Sequence, residues 1–259
     1  MKHKLKIFWL LSLASIKTSL EHRVGVIFFM LGKIIRFLVF FLFLYFLVSK
    51  TRLLAGYNFS QTAIFFLTFN FIDNLSQFLF REVYRFRPLV ITGQLDGILL
   101  KPHHPFLRIL VGGIDILDAI LIIPYILLLL YFLLKTGADF LNIIHYSLLI
   151  INSLIIATGF HIIVLSLGVL TTEVDHTIMI YRDISRMVAM PVDIYKEPLR
   201  SILTFVIPVG IMMTIPVKAL LGLLTWKIAL LSFLISFIFI IFSLSLWNIA
   251  LKKYQSVGS

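Results

Sequence analysis

Five stretches of this chain, at about 24–48, 59–80, 108–134, 141–170 and 226–250, are each long and apolar enough to cross a bilayer. That spacing constrains the fold more than any other feature. A segment that crosses hydrocarbon must satisfy its backbone polar groups internally, so these runs predict helices. Composition agrees: 60% of residues are hydrophobic, 14% are charged, and there are 25 phenylalanines. The expected class is an all-α integral membrane protein with a single transmembrane domain over residues 1–259. The basic start "MKHKLKIFWLL" shows no small-residue cleavage site after its apolar part, so no cleavable signal peptide is expected. Without cysteine there is no thiol nucleophile, disulfide or thiolate metal ligand.

The net charge of +11 suits a basic cytoplasmic rim against anionic lipid better than nucleic acid. Lys2, Lys4, Lys6, Lys17 and Arg23 precede the first run. Arg81, Arg85, Arg87, Lys101 and Arg108 follow the second, and Lys252 and Lys253 close the last. The segments 49–58 and 135–140 offer only Lys50, Arg52 and Lys135. Both termini and the 81–108 loop are therefore expected in the cytoplasm of a plasma-membrane or inner-membrane protein. That arrangement requires an even number of spans, and six is the natural count.

Residues 5–22 are expected to form an interfacial helix, with Ser12, Ser15, Ser19 and His22 opposite Leu5, Trp9, Leu13, Ile16 and Leu20. Lys33 and Arg36, just inside the first run, are expected to snorkel to the headgroups. The loop "TGQLDGILLKPHHP" at 92–105 reads as a short helix. Thr92 would cap it, Asp96 suits its first turns, and Pro102 and Pro105 stop it. Leu95, Ile98 and Leu99 give it one apolar face. A helix of two turns is unstable alone in water and must dock on something.

The run "RFRPLVITGQLDGILLKPHHPFLRIL" resembles the signature of ABC type-2 exporter permeases, carried here by Arg87, Gly93, Leu95, Asp96, Leu99, Leu100 and Pro102. Gly97 departs from that pattern, which favours a better helix former, and is expected to fray the helix. The later "MPVDIYKEPLRSILTFVIPVGIMMTIP" is also similar to the uronate- or viologen-exporter-type subgroup. The resemblance implies that 92–102 is a coupling helix entering a cleft of a cytosolic ATPase, with Ile98 beside the motif residues. It implies export with two ATPase subunits and a second permease copy (identical or paralogous). The apolar lining and many phenylalanines favour an amphiphilic or cationic drug-like substrate over a large polymer. No Gly-x-x-x-x-Gly-Lys-Ser/Thr loop occurs, so ATP and Mg²⁺ are expected on the partner ATPase and no cofactor in this chain. It further implies a polar fifth span at about 173–192 and external re-entrant helices over 199–223. The residues alone leave open a cytoplasmic amphipathic loop followed by a span kinked at Pro208 and Pro216.

Charged and amide side chains inside the runs are the candidate pathway. Asn70, Asp73, Asn74 and Gln77 form a stripe on the second run, and Asp115 and Asp118 lie one turn apart on the third. Asp175, Arg182 and Arg186 share a face of the implied polar span at about 173–192, with His176 and Asp183 beside them. A carboxylate at membrane depth costs about 3 kcal/mol on insertion scales, so each asks for a partner. The alternatives are structural pairing of the acids with Arg81, Arg85 or Arg108, or a membrane-embedded enzyme or secondary carrier using intramembrane carboxylates. The seven histidines show no metal-ligand spacing.

Overall fold

The computed structural model describes residues 2–21 and 23–255. They are helical throughout, apart from connecting turns and one isolated bridge between Leu54 and Tyr57. Helix α1 covers Lys2–Glu21, α2 Arg23–Thr51 and α3 Phe59–Leu79, and a 3₁₀ turn, Arg81–Arg85, leads into α4, Phe86–Ile91. Next come α5, Gln94–Leu99, α6, Phe106–Ile109, α7, Ile116–Thr136, and α8, Phe140–Thr171. Helix α9 is Val174–Met187, followed by a 3₁₀ turn at Val192–Ile194 and α10, Leu199–Ser201. A π turn, Ile202–Val206, joins α10 to α11, Val209–Leu220, and α12 is Trp226–Lys253.

Four helices, α2 from Val24 onward, α7, α8 and α12, are long and apolar enough to cross a membrane. The number rises to six if each of two bent pairs is one span: 59–91, bent by 63°, and 199–220, bent by 92°. Helix α8 is the central post, packed by α12, α11 and α9, while α3 packs along α7. Close approach at the centre rests on Gly159, where an added Cβ would lie 2.8 Å from the Phe239 ring and 3.0 Å from Ser243 Oγ. The helix ends carry their own capping groups. Asn58 and Gln61 form a reciprocal capping box at α3, and Gly137 ends α7 at φ +62°.

Several boundaries differ from the sequence reading. The third run begins at Ile116, not 108, because Gly112 and Gly113 sit in a tight turn. An added Cβ on Gly112 would fall 1.9 Å from the Arg108 carbonyl oxygen. The serine face of α1 turns inward: Ser12 and Ser15 are buried, Ser15 lies against Gly113, and Trp9 and Leu13 face out. Leu5, Ser19, Leu20 and His22 lie outside the described side chains. Thr92 does not cap α5; its hydroxyl donates to the Pro88 carbonyl at the end of α4, and Gly93, at φ +70°, starts α5. Gly97 is accommodated within that helix rather than ending it.

The segment expected to be the fifth span is a 14-residue helix, about 21 Å long, and so shorter than a hydrocarbon core. Its chain nevertheless runs the length of the bundle. Asp175 pairs with Arg87 at one end, and Asp193 accepts from the Tyr57 hydroxyl at the other (3.0 Å). Charged residues interrupt this segment, and it is not among the helices long and apolar enough to cross a membrane. Asp193 also fixes the bent pair that follows. Arg200, before the bend, and Lys218, after it, both reach this carboxylate, at 2.6 and 2.8 Å. Both limbs thus start and finish at the same end of the bundle. Burial and the Asp193 carboxylate raise the Tyr57 hydroxyl above the ordinary tyrosine value.

Candidate functional site

Lys33 does not snorkel outward. Its ammonium turns into the bundle, pairs with Asp118 and donates to Asn74 Oδ1 (3.2 Å) and Gln77 Oε1 (3.3 Å). The Asp118 side chain is fully buried and that of Lys33 is 9% exposed. An unpaired charge here would cost several kcal/mol, so α2 supplies the cation that α7 requires. The other Asp118 oxygen, Oδ2, finds no hydrogen-bond partner among the described residues.

Asp115 lies beside this group and is committed twice. One oxygen caps α7 by accepting from Leu117 N (2.9 Å), and the other pairs with Arg81 Nε (3.0 Å). The expected pairing partners therefore hold in part: Arg81 takes Asp115, but Asp118 takes Lys33. Arg85 and Arg108 instead converge on the buried Glu82, and Arg85 also donates to Ser15 Oγ (3.3 Å), tying α1 to the loop.

Gln77 links the ion pair to a second group. Its amide nitrogen donates to Asp73 Oδ2 (2.8 Å) while its oxygen faces Lys33. Asp73 lines a cleft of about 150 Å³ between α2, α3 and α9. Asn70, Arg36, Arg182 and Arg186 share that cleft, and its apolar wall is Phe37, Phe40, Phe66 and Phe69. Asp73 stands about 9 Å along α3 from Leu79, and Asp118 occupies the first turn of α7. The charged cluster and the cleft therefore sit towards one end of the bundle, on the side of the 81–115 loops.

The nine pathway candidates thus divide into three groups. Asn70, Asp73, Arg182 and Arg186 meet in the cleft, while Asn74, Gln77 and Asp118 are engaged with Lys33 and Asp115 with Arg81. Asp175 lies away from the cleft, paired with Arg87 at 3.2 Å. Lys33, Arg36, Glu82 and Asp193 were not singled out as site or network residues by sequence reasoning. A signal existed for two of them: Lys33, Phe37 and Phe40 fall at helical spacing on one inward edge of α2, and Arg36, exposed as a snorkelling side chain would be, adjoins that edge. Among the described residues no group of three or more His, Asp or Glu is placed to hold a metal ion.

The short α5 is held by its own chain. Leu95 is fully buried, Ile98 is 9% exposed and Leu99 packs partly against the main core. The apolar face expected to enter a partner is therefore largely spent internally. Leu100, at 86% exposure, is the apolar side chain that projects, with Lys101, Pro102 and His104 exposed beside it. Asp96 lies beside the Tyr254 hydroxyl at the end of α12. Burial together with this carboxylate raises that phenol above its ordinary value.

The family model described as "ABC-2 family transporter protein" matches residues 34–258. No curated protein and no solved structure shows a significant match to the chain.

Proposed function

Because the chain belongs to the ABC-2 family of transporter proteins, we propose that it is the permease subunit of an ATP-driven exporter. The observation that carries this reading is the family match over most of the chain. In the proposed complex the chain pairs with a second permease, identical or paralogous, and with two separate ATPase subunits that bind ATP and Mg²⁺. Residues 92–102 form the coupling segment. Leu95 and Ile98 anchor it to the permease body, and Leu100 with its neighbours meets the ATPase.

The second permease is supported by α9. His176, Met179, Ile180, Asp183 and Arg186 are exposed along that helix, and charged groups at membrane depth cannot face lipid tails. A partner permease or a wetted pathway must cover them. The 193–200 segment, at the same end as the 52–58 turn, is external in this reading, and 199–220 is re-entrant. Non-helical backbone at Pro208 is tolerable because it is enclosed by protein. The uronate- or viologen-type subgroup remains the assignment that the "MPVDIYKEP" stretch supports. An enzyme using Asp115 and Asp118 fits poorly, since both are buried and already paired to cations.

The test is purification of the tagged full chain from its native membrane in mild detergent. A separate nucleotide-binding polypeptide should co-elute, and ATP should drive substrate accumulation in inside-out vesicles. A chain that elutes without such a subunit, and whose transport follows an ion gradient without ATP, would be a secondary carrier.

A further inference from the structure

The cleft between α2, α3 and α9 has an excess of positive charge. Arg36, Arg182 and Arg186 line it against a single carboxylate, Asp73, which already accepts a hydrogen bond from Gln77. Among the described residues, neither Arg36 nor Arg182 has a carboxylate oxygen within 4.0 Å. Arg186 meets only the exposed Asp183, at 3.4 Å. Arg36 and Arg186 are exposed and Arg182 is half-buried; guanidinium groups at membrane depth call for water or an anion, and their planar forks suit phosphate, sulfonate or carboxylate.

The shape of the cleft narrows the ligand further. A volume of about 150 Å³ is below the roughly 300–1,000 Å³ of sites that take drug-sized molecules. It suffices for a headgroup. The rest of the ligand must continue along the apolar wall and over α2, whose membrane-length stretch is unburied.

We propose that this cleft binds an amphiphile through an anionic headgroup, held by Arg36, Arg182 and Arg186, with its apolar tail against Phe37, Phe40, Phe66 and Phe69. Asp73 then acts as an internal counter-charge that moderates the site, not as a receptor for cations. This ligand class deepens the exporter reading by naming the cargo chemistry, and it takes the cleft's placement in the membrane from that reading. The same chemistry has two sources, a phospholipid of the surrounding bilayer or a single-tailed cargo.

Equilibrium binding of labelled dodecyl phosphate to the full chain in phosphatidylcholine nanodiscs tests the proposal. Binding should saturate and resist competition by inorganic phosphate and by dodecyltrimethylammonium. Arg182→Gln together with Arg36→Gln should weaken it at least about tenfold, the loss of one or two charge-assisted contacts. Arg182→Lys should recover part of the affinity, and Asp73→Asn should leave binding intact or tighten it. Should the double variant fail to fold, the single Arg182→Gln and Arg182→Lys variants still give the comparison. Displacement by phosphatidylglycerol added to the disc assigns the site to bilayer lipid, and its absence assigns it to a single-tailed cargo. Both results keep the anionic class. Equal binding in the arginine variants would show that the probe merely partitions into the bilayer. Preferential binding of the ammonium amphiphile, lost in Asp73→Asn, would make the cleft a cation site. Either outcome overturns the proposal. Because binding is read on the chain itself, a missing ATPase partner would sink the exporter reading without touching this one.

Discussion

Lys33→Met separates two steps that hydropathy confuses. Lysine costs roughly 2.5–3.5 kcal/mol at the centre of an inserting helix, so on insertion scales the methionine variant of α2 should enter the membrane more readily. The folded bundle predicts the opposite sign for stability. Removing the ammonium strands a fully buried Asp118 carboxylate whose second oxygen already lacks a partner. It also leaves Asn74 Oδ1 and Gln77 Oε1 without their donor. Breaking one side of a buried pair costs about 3–5 kcal/mol. At roughly 2–4 °C per kcal/mol, that is a melting-temperature loss of about 6–20 °C. Asp118→Asn should cost less. Its oxygen still accepts from Lys33, and the lysine stem, rooted on the outer helix α2, can withdraw towards the headgroups. Lys33→Met combined with Asp118→Leu should recover most of the loss, because an apolar pair of similar volume is often neutral or stabilising. The assay is thermal unfolding in detergent, with insertion followed separately by membrane fractionation. Lys33→Met melting within about 2 °C of the parent would refute the reasoning, since the pair would then carry no charge worth compensating. A double variant no better than Lys33→Met would refute it equally.

Three further outcomes follow from other parts of the fold. Leu100→Glu, at the projecting end of α5, should leave insertion and melting unchanged while ATPase co-purification and transport fall, because a carboxylate would be buried unpaired in the partner's cleft; retained coupling would make the segment a linker. A single cysteine at Lys196, exposed beside the Asp193 hub, should react with an impermeant maleimide on intact cells, and labelling only after lysis would place 193–200 inside. Gly159→Val should destabilise the α8–α12 contact by about 1–3 kcal/mol, since even its Cβ meets Phe239 at 2.8 Å, and unchanged thermal unfolding would show that the two helices part easily.

The apolar runs made the helical class legible because lipid imposes one rule on every spanning segment. They placed α2, α8 and α12 to within a few residues of the structure. What they hid is the partnership between charges far apart in sequence. Lys33 and Asp118 are 85 positions apart, and nothing in either run announces the other. A cation near the end of an apolar helix reads equally as a snorkelling side chain or as an internal counter-ion. Only the neighbouring helix decides between them. Helix α9 was obscured for a related reason: averaging over a window counts Arg182 and Asp183 alike, although one lines the cleft and the other faces outward.

Distinguishing those positions changes the chemistry assigned to the site. Seen in sequence, the carboxylates Asp73, Asp115 and Asp118 ask for a partner, whether an arginine, water or a cationic cargo. Once Asp115 and Asp118 are paired to Arg81 and Lys33, they contribute no free negative charge. Asp73 alone remains, facing three arginines across an aromatic wall. Neutralising acids therefore probes mainly the scaffold, and neutralising Arg36 and Arg182 probes the ligand. The sign of the cleft's charge follows from which cations are already spent, a matter of packing that residue counts along the chain do not contain.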